Sequence, residues 1–271
     1  MMTRLLAAAV GLAVVLPTLT YGGMHGAAVL VLVVMLIGVD EFVRMATPGD
    51  RQRGWLALGP PSAAFYAAAI YAEPLTAVMI GMMGALWVIG VVLFRPGPVE
   101  GEGAKPISAI DQAARLVFGG VYVAALVSTI PLIRGFEHGM SWIFLLLTVT
   151  WAGDSGAYFA GRAFGKTKLY EKISPKKTRE GAAGGLVAAI IGALVVRQLG
   201  IPDLGIVTCI LLAAVLDVAG VIGDLAESLI KRSFGVKDSG TIMPGHGGIL
   251  DRIDSLLFSA PVLYVFLTIT S

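Results

Sequence analysis

The stretch "LDVAGVIGDLAESLIKR" places Asp217, Asp224 and Glu227 in an otherwise apolar run. A separation of seven is two helical turns, so Asp217 and Asp224 share a face, with Glu227 and Ser228 at neighbouring positions. Acids within an apolar helix are costly and read first as functional groups. The plain alternative for Glu227 is a helical ion pair with Lys231 at i, i+4. Asp224 has no basic residue at i±3 or i±4, and Asp217, deeper, has hydrogen bonding within the bundle as its alternative. Asp251 and Asp254 open the last apolar run, where a helix dipole also favours acids. Asp224 and Asp251 near the ends of consecutive helices offer two hard oxygen ligands. Mg²⁺ uses such a pair, with water and substrate phosphates filling its other positions.

The loop between them, "KRSFGVKDSGTIMPGHGG", carries Lys231, Arg232 and Lys237 together with Gly240, Gly245, Gly247 and Gly248. Glycine-rich turns that lead into a helix can present amides to an anion. His246 suits donation to a phosphate or a structural role in a polar loop. A second basic segment follows Asp154 and contains Arg162, Lys166, Lys168, Lys176, Lys177 and Arg179. Its "SPKKT" reads either as a phosphate-gripping turn or as part of a polybasic loop that sets topology. It is not a Walker A loop. A zinc site is not expected, because His25 and His138 fall on the other side of the topology below.

These groups need an unusual scaffold. The chain of 271 residues is 56% hydrophobic and 14% charged, with mean hydropathy +0.84. Soluble domains carry about 25% charged residues, so the chain reads as an all-α integral membrane protein. Nine spans are predicted, at about 5–21, 25–43, 55–72, 75–94, 111–133, 141–160, 183–199, 205–230 and 250–270. The third is interrupted by Pro60 and Pro61, which is tolerated where neighbours satisfy the freed carbonyls. The first has Arg4 but no convincing cleavage site and is read as a retained helix. With the N-terminus inside and the C-terminus outside, only Arg134 and Arg197 of the 20 Lys and Arg lie outside. That split follows the positive-inside rule and places two polar loops, 161–180 and 231–249, in the cytoplasm. Residues 1–140 then form N-terminal membrane helices, and 141–271 a catalytic membrane region. A net charge of +2 argues for no nucleic-acid partner. The lone Cys209 excludes a disulfide framework or a cysteine metal site.

"SLIKRSFGVKDSGTIMPGHGGILDRID", residues 228–254, resembles the signature of the phosphatidate cytidylyltransferase (CDP-diacylglycerol synthase) family. The matching positions are Ser228, Lys231, Arg232, Lys237, Asp238, Gly240, Pro244, His246, Gly247, Gly248, Asp251, Arg252 and Asp254. Met243 stands where the family usually has leucine. Upstream, "DSGAYFAGRAFGKTKL" and "ISPKKTREG" are similar to the family at Asp154, Lys166, Ser174, Lys177 and Thr178, among others. Arg179 departs from the family there. The resemblance covers about residues 150–260.

The resemblance implies transfer of CMP from CTP to phosphatidate, giving CDP-diacylglycerol and pyrophosphate on the cytoplasmic side of a bacterial inner membrane. It implies Mg²⁺, with a potassium ion associated, held at Asp224 and Asp251. Lys237 and His246 join those two as catalytic candidates. Asp154, Lys166, Ser174, Lys177, Thr178, Ser228, Lys231, Arg232, Asp238, Gly247, Gly248 and Arg252 become candidates for substrate binding. Asp217, Glu227 and Asp254 become supporting groups around the metal. For Arg252 and Asp254, an internal salt bridge or a helix-start role explains the residue equally well. The expected partners are CTP, phosphatidate and the bilayer, with a homodimer as the alternative to a monomer. The competing functions are transfer of a cytidylyl or phosphoryl group to an isoprenoid lipid, and ion-coupled transport through the intramembrane acids.

Overall fold

A computed structural model of the chain describes residues 15–94, 108–242 and 247–270. His246, Met243 and most of the first expected span lie outside these residues. After helical residues 15–21 come α1 (Gly23–Ala46), α2 (Arg51–Tyr71), α3 (Pro74–Phe94), α4 (Ala109–Gly119), a wide π turn (Gly120–Ala125) and α5 (Thr129–Gly135). Then follow α6 (Gly139–Phe164), strands β1 (Lys168–Tyr170) and β2 (Ser174–Thr178), α7 (Arg179–Gly200), α8 (Ile206–Ser233) and α9 (Leu250–Thr270).

Among the described residues seven helices are long and apolar enough to cross a membrane: α1, α3, the α4–α5 run, α6, α7, α8 and α9. The chain is thus a mostly helical membrane protein. Its outer faces show Val33, Leu86, Ile191, Leu211 and Val265 to the surroundings, as a helix in hydrocarbon must. The α2 helix is as long as α3 but less apolar, with Arg51, Gln52 and Arg53 in its first turn and Pro60, Pro61 and Ser62 at its middle.

Two expectations need correction. The 161–180 segment is not simply a loop. The α6 helix runs on to Phe164, α7 begins at Arg179, and an antiparallel β1–β2 hairpin fills the gap, pairing Lys168 with Thr178 and Tyr170 with Ser174. Short alternating strands leave no strong apolar signal, so composition alone reads them as loop. Likewise α8 reaches Ser233, which takes Lys231 and Arg232 out of the 231–249 loop and into its last turn, where cations suit the helix dipole.

Local chemistry explains the element ends. Asp50 caps α2 by accepting from Arg53 N at 3.1 Å, and Ser108 caps α4 by accepting from Asp111 N at 3.0 Å. Thr178 caps α7, its hydroxyl accepting from Gly181 N at 3.1 Å. Pro60 and Pro61 do not break α2. Pro60 cannot donate to the Leu56 carbonyl, and the Trp87 indole on α3 donates to it instead at 2.9 Å. Near the π turn, the Ser128 and Thr129 hydroxyls donate to the Ala125 and Leu126 carbonyls, each at 2.7 Å.

Packing runs through two cores. One gathers Met35, Phe42, Leu58, Leu116 and Tyr122; the other gathers Leu145, Leu146, Ala213 and Leu216. The α9 helix serves both, with Leu250 and Leu257 in the first and Ala260 and Leu263 in the second. The N-terminal helices are therefore packed onto the same helix that carries Asp251.

The tightest helix pair is α6 with α7. A side chain at Gly156 would meet Ala188, and one at Gly184 would meet Ala160; Gly185 faces the backbone of Gly153. Small residues at such spacing let membrane helices approach backbone to backbone. Gly184→Val should lower stability by about 1–3 kcal/mol through overpacking. Gly90, with open space around it, is the control. Thermal unfolding of both variants in the same detergent should show a drop for Gly184→Val and none for Gly90→Ala.

Candidate active site

The candidate residues gather at one end of the bundle. The chain arrives there at the C-terminal ends of α6 and α8 and leaves from the N-terminal ends of α7 and α9, with the hairpin beside them. A cavity of about 420 Å³ opens among α6, α7, α8 and β2. Asp154, Asp217 and Asp224 contribute its acids, and Arg162, Lys176 and Lys177 its cations. Thr178 and Ser255 also line it. Gly153 matters here: a Cβ at that position would overlap the Asp217 carboxylate, so glycine lets this acid lie against the α6 backbone. Asp217 and Asp224, both on the α8 face that borders the cavity, are about 10 Å apart along the axis at 1.5 Å per residue.

Asp224 is paired across the site. Its Oδ2 lies 2.5 Å from Lys177 Nζ, and its Oδ1 accepts a long contact of 3.5 Å from the Ser228 hydroxyl. Sequence spacing did not reveal this partner, because Lys177 comes from the hairpin and not from α8. Asp154 stands within electrostatic range of Asp224, Lys177 and Arg252.

Beside this pair sits a second one. Lys231 Nζ lies 2.5 Å from Glu227 Oε2 and 2.5 Å from Asp251 Oδ1. The i, i+4 ion pair expected of Glu227 is thus present, and the same lysine reaches across to α9. Asp251 Oδ2 accepts hydrogen bonds from Gly248 N at 2.8 Å and Ser239 N at 3.0 Å, and it lies 3.0 Å from the Ser239 hydroxyl, whose single proton it shares with Glu41. Gly247 adopts φ +83°, and a side chain there would strike the Asp251 carboxylate. The two signature glycines therefore close around Asp251, and the Gly248 amide is spent on that carboxylate. Asp254 Oδ1 accepts from Ser255 N at 2.7 Å.

Other candidates lie outside these two ion pairs. Lys166 is exposed, and its amide donates to Glu180, which also receives Thr167 N. Glu180, given no role from the sequence, thereby ties the hairpin to α7. Ser174 sits in the hairpin ladder opposite Tyr170. Arg232, Lys237, Asp238 and Arg252 are exposed, and Arg232 Nη1 donates to the Val236 carbonyl at 3.1 Å. The acid that sequence reasoning missed is Glu41 of α1, which accepts hydrogen bonds from Ile249 N and Leu250 N and shares the Ser239 hydroxyl with Asp251.

Among the described residues no three Asp, Glu, His or Cys side chains converge as a ready-made metal cage. The donor chemistry nevertheless fits Mg²⁺, which keeps water and phosphate ligands beside one or two carboxylates. Asp224 and Asp251 each already pair with a lysine, and Asp224 Oδ1 has only the long serine contact.

The model of the cytidylyltransferase family matches residues 2–270. The chain belongs to that family. It is 43% identical over 171 residues to a phosphatidate cytidylyltransferase of Bacillus subtilis, covering 62% of this chain and 62% of that relative. It is 44% identical over 162 residues to one of Brucella suis, covering 57% and 56%, and 45% identical over 133 residues to one of Haemophilus influenzae, covering 48% and 46%. The matched stretch thus spans less than two thirds of these relatives. For this cytidylyltransferase family member, the buried pair Glu227–Lys231 gives a direct stability test. Lys231→Met leaves Glu227, 1% exposed, beside Asp251 with no cation between them. Unpairing a buried charge costs about 3–5 kcal/mol, so thermal unfolding in detergent should fall sharply, and adding Glu227→Gln should recover part of the loss.

Proposed function

We propose that the protein transfers CMP from CTP to phosphatidate, forming CDP-diacylglycerol and releasing pyrophosphate. The observation that carries this reading is the Asp224–Lys177 pair at a 420 Å³ cavity, next to the Asp251–Lys231 pair. Paired acids and lysines at the end of a lipid-facing bundle suit the meeting of a membrane phosphate with a nucleotide. The names of the relatives point the same way.

The nucleophile is a phosphate oxygen of phosphatidate, ionised at neutral pH, so no strong general base is required. It forms a bond to the α-phosphorus of CTP while the bond to pyrophosphate breaks. The difficulty is repulsion between two polyanions. Asp224 and Asp251 would hold Mg²⁺, with a potassium ion alongside, to screen and orient the phosphates and stabilise the leaving pyrophosphate. Lys177 and Lys231 stand next to those carboxylates and would contact such phosphates. Lys176 and Asp154 at the cavity wall would bind the nucleotide. Arg232, from the last turn of α8, and Lys237 and His246, from the segment after it, would reach phosphates. The acyl chains would lie between helices in the adjoining leaflet.

The proposed topology has nine spans, with α2 and the N-terminal segment completing the seven most apolar helices. The N-terminus and the site face the cytoplasm of a bacterial inner membrane. In support, Arg134 and Arg197 lie at the helix ends away from the site. Arg134 donates to the Leu19 carbonyl at 2.9 Å, and Arg197 donates to the Pro202 carbonyl at 2.8 Å.

The test is purified protein in detergent with labelled CTP, phosphatidate and Mg²⁺. It should form CDP-diacylglycerol and pyrophosphate; no product at any Mg²⁺ concentration rejects the reading. Product from an isoprenoid phosphate but not from phosphatidate would move the assignment to that acceptor. Asp224→Asn and Asp251→Asn should each lower kcat by about 100-fold or more, the scale of a lost transition-state electrostatic contact, with expression unchanged.

A further inference from the structure

Asp40 and Glu41 are adjacent on α1 but point in different directions, as neighbours about 100° apart on a helix must. Asp40 faces Arg44, Arg51 and the Trp55 indole. Glu41 is turned inward and is 4% exposed. An ionised carboxylate so placed needs strong hydrogen bonds to offset its lost hydration. Its partners come from the far end of the chain: Ile249 N at 2.8 Å on Oε1, with Leu250 N at 3.0 Å and Ser239 Oγ at 2.9 Å on Oε2. Ile249 and Leu250 are the first amides at the start of α9, donors that a helix leaves without internal partners, and an acid there is further favoured by the dipole.

The loop is shaped around this carboxylate. A Cβ at Gly240 would overlap Glu41, and one at Gly248 would overlap both Glu41 and the Ser239 hydroxyl. Those two signature positions are glycine because an acid from α1 occupies the space. The contacts then pass directly to Asp251. Ser239 Oγ sits between Glu41 Oε2 and Asp251 Oδ2, and Gly248 N donates to that same Oδ2. Each group that holds Asp251 Oδ2 is a residue packed against Glu41.

We infer that Glu41 is a positioning residue for the proposed reaction. Its carboxylate clamps Ser239, Gly240 and Gly248 against the start of α9, and through Ser239 and Gly248 it sets the orientation of the Asp251 carboxylate. The inference rests on the phosphatidate cytidylyltransferase reading for its catalytic consequence, but not for the clamp itself.

The full-length protein in detergent tests it through Glu41→Gln and Ser239→Ala, with three readouts: steady-state kinetics, Mg²⁺ dependence, and amide hydrogen exchange. Glu41→Gln keeps the shape but sets an NH₂ group against backbone donors. It should lower kcat about 10- to 100-fold, the scale of a lost hydrogen bond to a charged group. The KM for phosphatidate should stay within about twofold, because a misaimed Asp251 weakens the transition state without removing a ground-state contact to the lipid. Half-saturating Mg²⁺ should rise, and exchange should accelerate at residues 239–242 and 247–250 more than elsewhere. Ser239→Ala should move the same quantities in the same direction by a smaller factor, and it decides the matter if Glu41→Gln does not fold. Turnover and Mg²⁺ dependence at wild-type levels in Ser239→Ala and in folded Glu41→Gln would overturn the inference, even with faster exchange. Wild-type protein that forms no CDP-diacylglycerol would overturn the reaction reading instead, while exchange at Ile249 and Leu250 would still report the clamp.

Discussion

A carboxylate at the end of an apolar bundle cannot stand alone, because hydration lost there must be replaced by charge or by hydrogen bonds. The arrangement around the site follows from that requirement. Asp224 meets Lys177, Asp251 meets Lys231, Glu227 shares the same lysine, and Glu41 takes two backbone amides and a hydroxyl. Apart from the Glu227–Lys231 pair within α8, each solution joins two elements, so satisfying the acids also docks the hairpin, α1, α8 and α9 against one another. The charges that suit phosphate chemistry and the contacts that close this end of the fold are the same contacts.

The apolar packing supports that end without competing with it. Small residues bring α6 and α7 together at backbone distance, and at their site-side ends Thr178 lies against Gly161 beside the cavity. The α9 helix is shared by both cores. Asp251 at its start is therefore held from below by packing and from above by the loop. Such a carboxylate is oriented before any ligand arrives.

Much of this was legible from residue order. The apolar runs marked the spans, since one helix of about 20 residues is what hydrocarbon thickness demands. The i, i+4 spacing of Glu227 and Lys231 anticipated their ion pair, and the tolerance of Pro60 within α2 followed once Trp87 could serve the freed carbonyl. The hairpin was missed because three- and five-residue strands carry too little periodicity to rise above a polar, basic composition. Glu41 was missed for a different reason: nothing in "GVDEFVRMA" distinguishes an inward acid from its outward neighbour Asp40 until the opposite helices are in place.

The sequence by itself determined that this is a membrane chain, where its most apolar helices run, and that the signature of one family lies between about residues 150 and 260, because composition, run length and fixed spacing are local properties. Tertiary structure alone decided which cation answers each acid, that Gly240 and Gly248 accommodate a carboxylate from α1, and that Asp251 is gripped by a lysine on one oxygen and by the loop on the other. Those outcomes depend on contacts between residues up to 209 positions apart, and a hydrogen bond across that separation exists only once packing has brought its two ends together.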